Sequence, residues 1–141
     1  FSNHPKDWKR IPPGIHGLSN ASLNTPWPKV EFAQNSLQEL ITRKEKITEQ
    51  DLFPILFNDD SYPRESLPDT GVGAQLEKML SPVFINSPNY GTRSSTLLMV
   101  DYNSRVSFTE KTFDKPEDGS SYQARIQARE NKHSFQVQTC A

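Results

Sequence analysis

A single cysteine in 141 residues, Cys140, excludes a disulfide within the chain and makes a reducing compartment the expected setting. No apolar run approaches the length needed to span a bilayer. An excess of charge of one sign is missing too. The formal net charge of −1 removes the electrostatic case for nucleic acid or an anionic membrane surface. His4, His16 and His133 are scattered, and no Cys or His pair has ligand spacing, so no metal site is expected. The chain has no phosphate-binding loop, no Gly-x-Gly-x-x-Gly and no Gly-x-Ser-x-Gly elbow. Ser94 and Ser95 lack a base evident in sequence, which leaves a serine hydrolase unsupported. Large apolar residues are scarce: Leu, Ile, Val and Phe make up about 23% of the chain, just above the level at which disorder becomes the default. Eleven prolines and a mean hydropathy of −0.73 point the same way.

The apolar residues that are present come in clusters, so one small core with polar connections is expected, and the length suits one domain. The chain opens on Phe1-Ser2-Asn3 with neither methionine nor a signal-like segment, and reads as a fragment or processed product of a longer protein. Ile11-Pro12-Pro13-Gly14 is a stiff turn leading into a short extended segment with Ile15 and Leu18. Thr25 as N-cap and Pro26 at the first helical position predict a helix. Val30, Ala33, Leu37, Leu40 and Ile41 would form its apolar face, and Arg43, Lys44 and Lys46 would suit its C-terminal dipole. A second helix is expected up to Phe57, with Asp51 as N-cap so that Pro54 falls at the third position.

Asn58 to Gly73 is rich in Asp, Pro, Ser and Gly and reads as an exposed loop. Gln75 to Leu80 would make a helical turn packing Leu76, Met79 and Leu80. Val83-Phe84-Ile85 reads as a short strand, and Thr96 to Val100 as a strand apolar on both faces and therefore covered from both sides. Val106 to Phe113 follows through a hairpin in which Asn103 is expected to take positive φ. Tyr122, Ala124, Ile126 and Ala128 alternate with polar residues as a half-buried strand, and the polar tail from Glu130 is expected to be loose apart from Phe135 and Val137. A strand from the Ile15–Leu18 segment, two helices and then an antiparallel meander suit an α+β layered arrangement.

Asn20 and Arg93 are the pair with chemistry to offer. An asparagine amide can donate to an oxyanion, and an arginine can hold a carboxylate. Each alone also fits a plain role, Asn20 in a turn and Arg93 in a surface ion pair. Trp27 and Tyr90 are equally ordinary as packing residues. Asn20-Ala21-Ser22 has the form of a glycosylation acceptor, which a packed Asn20 would put out of reach.

Three blocks carry a resemblance: Gly17-Leu18-Ser19-Asn20, Thr25-Pro26-Trp27-Pro28-Lys29 and Tyr90-Gly91-Thr92-Arg93-Ser94-Ser95-Thr96. In this order they resemble the C-terminal half of the NRDE family, to which Transport and Golgi organization proteins belong. Leu67-Pro68-Asp69-Thr70-Gly71 and Phe108-Thr109-Glu110 are similar to its weaker blocks. The resemblance runs from Phe1 to Phe113. It implies the second half of an N-terminal-nucleophile-hydrolase-like αββα layered fold, with antiparallel strands and helices on one face. Residues 1–113 would be the C-terminal part of one NRDE-type domain whose N-terminal half is absent, and 114–141 an extra strand and polar tail. The family's Asn-Arg-Asp-Glu motif and leading cysteine are not in this chain. Pro54, and a hairpin without glycine at Asn103 to Arg105, depart from the family pattern.

The function implied by the resemblance is non-enzymatic: Golgi organisation and secretion, haem mobilisation, and lipid and mitochondrial homeostasis. The expected location is the cytoplasm, with Golgi or mitochondrial association. Asn20, Trp27, Tyr90, Thr92, Arg93 and Thr96 would line a pocket for a small amphipathic ligand carrying carboxylates, haem or an acyl compound. Arg93 would pair with the acid group. No cofactor is required, and haem would enter as cargo. The alternative is a cysteine-nucleophile amidohydrolase, its cysteine upstream, with Asn20 as oxyanion donor and Arg93 beside the nucleophile. By itself the chain would expose strand edges and one apolar face, and would be expected to aggregate.

Overall fold

The computed structural model describes residues 10–88, 90–114 and 129–137. The strand expected over Tyr122 to Ala128, together with His4 and Cys140, lies outside the described residues. Three α-helices, α1 (Pro28–Arg43), α2 (Glu49–Leu56) and α3 (Ala74–Met79), precede three strands, β1 (Ser94–Val100), β2 (Arg105–Thr112) and β3 (Arg129–Gln136). The strands form one antiparallel sheet in the order β1-β2-β3. This is the α+β arrangement expected.

Helix α1 begins at Pro28, with Trp27 as N-cap, two residues later than expected. A residue before proline is pushed out of the helical region, and Trp27 sits at φ −77°, ψ 144°. Thr25, itself before Pro26, closes a turn instead, its hydroxyl donating to the Ser22 carbonyl at 2.8 Å. Val30 is buried and Ala33, Leu37 and Leu40 are half-buried, but Ile41 is 49% exposed at the edge of the stripe.

Helix α2 starts at Glu49 with Thr48 as N-cap, so Asp51 stands at the third position. The Asp51 carboxylate accepts the Thr48 N–H at 2.9 Å and the Thr48 hydroxyl at 2.8 Å, and also pairs with Lys44. This capping overrides the expected boundary and leaves Pro54 inside an eight-residue helix, where its ring is exposed and only one intrahelical bond is lost.

The short segments behave differently from their sequence pattern. Val83-Phe84-Ile85 forms no strand; the chain bends there, joined by the Asn86–Gly91 bridge and the Thr92 N–H to Ile85 carbonyl bond. The Ile15–Leu18 segment likewise forms no strand. Helix α3 packs Met79 and Leu80 but leaves Leu76 46% exposed. In the β1–β2 hairpin the left-handed residue is Ser104, at φ 59°, not Asn103. The Asp101 carboxylate accepts the N–H groups of both Asn103 and Arg105, at 2.8 and 2.9 Å, and this moves the positive φ one residue on. Residues 130–136 form most of β3 and are not loose. Its polar side chains are all exposed, and pairing with β2 along its whole length makes it a strand.

Helices cover one face of the sheet. Phe53, Phe57, Phe84 and Phe113 meet as an aromatic cluster, with Phe84 and Phe113 edge to face at 4.9 Å. The Lys111 ammonium lies 4.2 Å from the Phe53 ring centre. Glu49 ties α2 to the sheet: its carboxylate accepts the Thr109 hydroxyl at 2.6 Å and the Lys132 ammonium at 2.8 Å.

The opposite face is largely open. Leu98 and Val100 of β1 are each 65% exposed, and Phe135 of β3 is 55% exposed. Among the described residues no second layer covers the outer face of β1.

Candidate ligand cavity

The close approach of one loop to one helix creates the site. Gly17 sits against α1 so tightly that a β-carbon there would stand 2.5 Å from Val30 Cγ1. Asn24 holds the loop in that place. At φ 59° it adopts a conformation that asparagine tolerates. Its Oδ1 accepts the Gly17 N–H at 2.9 Å and the Gln34 amide at 3.1 Å, while its own N–H donates to the Gly17 carbonyl at 2.7 Å.

Between this loop, α1, α2 and β1 lies a cavity of about 450 Å³. Residues 15–20 form one wall. Helix α1 contributes Lys29, Val30, Ala33, Gln34 and Leu37; α2 contributes Leu52, Ile55 and Leu56. Val83 and Leu97 complete it. Leu18, 70% exposed, and Asn20 stand at the rim. A cavity of this size, mostly apolar with a few polar groups, has the make-up of a small-molecule site.

Lys29 is the one lysine or arginine among the described residues of the wall. Its ammonium donates to the Leu80 carbonyl at 2.9 Å and lies 5.9 Å from the Trp27 ring centre. Burial holds its pKa below the ordinary lysine value, with the charge of Glu77 pulling the other way. His16 is fully engaged: Nε2 lies 2.9 Å from the Pro12 carbonyl and Nδ1 2.9 Å from the Asn24 amide nitrogen. With a carbonyl facing Nε2, that nitrogen donates and Nδ1 accepts from Asn24.

Of the residues singled out in sequence, Asn20 lines this cavity. It is exposed rather than packed, so the shielding expected for its glycosylation motif is not found. Trp27 is half-buried and reaches the site only through Lys29. Tyr90, 55% exposed, closes a turn with Ser87, whose hydroxyl donates to the Tyr90 carbonyl at 2.6 Å. The Thr92 hydroxyl accepts the Ile85 N–H at 2.9 Å and so braces a loop. Arg93 is exposed at the start of β1, its carbonyl taking the Phe113 N–H at 2.9 Å. Thr96 donates to Glu110 at 3.2 Å on the open face of the sheet. The structure thus places Asn20 in the cavity and Tyr90, Thr92, Arg93 and Thr96 outside its walls. Lys29, Gln34 and Asn24 carried no separate signal, although Lys29 stands in a quoted block and a glycine-bent loop beside a helix start was visible.

Among the described residues no group of three or more His, Cys, Asp or Glu could hold a metal ion. None of the helices among these residues is long and apolar enough to cross a membrane.

The family described as Transport and Golgi organisation 2 matches residues 1–115. The Transport and Golgi organization protein 2 homolog of Bos taurus is 34% identical over 113 residues, and that of Homo sapiens 34% over 109. The Transport and Golgi organization 2 homolog of Mus musculus is 31% identical over 109 residues. Each match takes in 72% of this chain and 40% of the relative, so the chain spans about 40% of the length of these curated relatives.

Proposed function

Because the chain belongs to the Transport and Golgi organisation 2 family, we propose that it contributes to transport by holding an amphipathic, carboxylate-bearing small molecule in the α1–α2–β1 cavity, without converting it. The observation that supports this reading is the cavity itself: about 450 Å³, apolar walls, and one cation and a few amides at defined places. A carrier of this kind suits the roles in secretion, haem mobilisation and lipid homeostasis that the sequence resemblance implies. It would act in the cytoplasm, at Golgi or mitochondrial membranes. The test is a calorimetric titration of the family-length protein with a long-chain fatty acid and, separately, with haem. Saturable, stoichiometric binding of either is the expected result, and failure of both to bind removes the carrier reading.

The open sheet face supports a second part of the proposal. Val100, Val106 and Phe135 align across the three strands, as do Leu98, Phe108 and His133. An apolar face of this extent calls for a covering layer. In the family-length protein that layer would be a second sheet, giving the αββα order that the resemblance implies.

The amidohydrolase reading is favoured by one observation only, the amide of Asn20 on the cavity wall. Acyl-amide turnover unchanged by Asn20→Ala would dismiss it.

A further inference from the structure

Among the described residues, a half-buried ammonium with one hydrogen-bond acceptor is an incomplete arrangement. Lys29 carries three N–H donors and spends one on the Leu80 carbonyl. Among the described residues no carboxylate forms an ion pair with it; Glu77 acts on it only through space. Taking a charge partly out of water costs free energy that an opposite charge can offset. Lys29 is the one Lys, Arg, Asp or Glu among the described residues of the cavity wall. The wall around Lys29 offers Val30, Leu37, Leu52, Ile55 and Leu97, which suit hydrocarbon.

We propose that Lys29 is the residue that recognises the ligand's acid group, and that the ligand class is a monocarboxylate with one apolar chain. This rests on the carrier reading of the cavity and narrows it. Two features argue against a dicarboxylate metal macrocycle such as haem. With one lysine in the wall, a second carboxylate inside the cavity would be desolvated without a cation, which is costly. The histidine of the wall has both ring nitrogens committed, so serving as an axial ligand would break either the Pro12 or the Asn24 bond. Arg93, the acid partner expected from sequence, is not part of this wall.

The test compares dodecanoate, dodecanol and haem on family-length wild-type protein and on the Lys29→Met, Lys29→Arg and His16→Gln variants. Methionine keeps the apolar stem and removes the charge. Lys29→Met should weaken dodecanoate about tenfold or more and leave dodecanol within about twofold, the size expected for one charge-assisted hydrogen bond. Lys29→Arg should restore most of the carboxylate affinity. Equal loss of acid and alcohol would mean that Lys29 merely holds the Leu80 segment, and would overturn the assignment. Undiminished dodecanoate binding by Lys29→Met would overturn it while leaving the carrier reading intact. Haem binding tighter than dodecanoate and abolished by His16→Gln would overturn the ligand class. Absence of binding by all three probes to wild type would remove the carrier reading, and this inference with it.

Discussion

Gly17 and Val30 touch so closely that one added carbon on Gly17 would meet Val30 Cγ1 at 2.5 Å. A side chain at this position therefore forces Val30 or the 15–20 loop to shift. Gly17→Ala is expected to cost about 1–3 kcal/mol, the usual range for an overpacked contact. Chemical denaturation measures it. Combining it with Val30→Ala should recover part of the loss, and strict additivity of the two would show that the contact is not the cause.

Acid should loosen α2 from the sheet. The bond from Lys132, then that from Thr109, holds the Glu49 carboxyl below its ordinary range. The bonds from Lys44 and Thr48 bring Asp51 to about 2. A depressed carboxyl adds stability that is complete above its unfolded value and is lost as pH falls through its folded value. For Asp51 that window runs from 3.8 down to about 2. Thermal melts at pH 7, 4 and 2 should show the drop, and Asp51→Asn should flatten it. A variant with unaltered acid sensitivity would contradict the assignment.

Ser104→Gly should stabilise the β1–β2 hairpin. Ser104 holds φ at 59°, a conformation that costs a side-chain-bearing residue about 1 kcal/mol and glycine almost nothing. The expected gain is about 0.5–1 kcal/mol, read as a higher melting temperature. A loss instead would mean that the added backbone freedom outweighs the relieved strain.

The open sheet face can be probed at Leu98, 65% exposed in this chain. If a second sheet covers it in the family-length protein, Leu98→Glu buries an unpaired charge there and should cost more than about 2 kcal/mol. A change within about 0.5 kcal/mol is what a true surface position would give, and would argue against the second layer.

Helix α1 was legible because its apolar residues recur at the helical period, β1 because it is an unbroken apolar run, and β2 because a hairpin connection leads into it. What sequence pattern missed follows from forces that periodicity does not record. The start of α1 was set by the proline after Trp27, and that of α2 by the Thr48–Asp51 cap. Strand β3 was hidden because its side chains, Phe135 apart, are polar and its ladder is a property of the backbone. At the site, Asn20 could be read from its motif. Lys29 could not: a lysine in sequence reads as solvated, and only the docking of α1 beside the Leu80 segment half-buries it. Arg93 looked the better cation, yet it lies outside the cavity.

The two hydrogen bonds that Glu49 accepts set a timetable for folding. Thr109 and Lys132 lie 60 and 83 positions along the chain from it. The α2 cap and the β1–β2 hairpin need only local contacts, whereas the Glu49 contacts must close long loops and bear that entropy. They are therefore expected to form after the rate-limiting barrier. Their removal by Glu49→Gln would then appear as faster unfolding at a nearly unchanged folding rate, making this carboxylate a brake on opening.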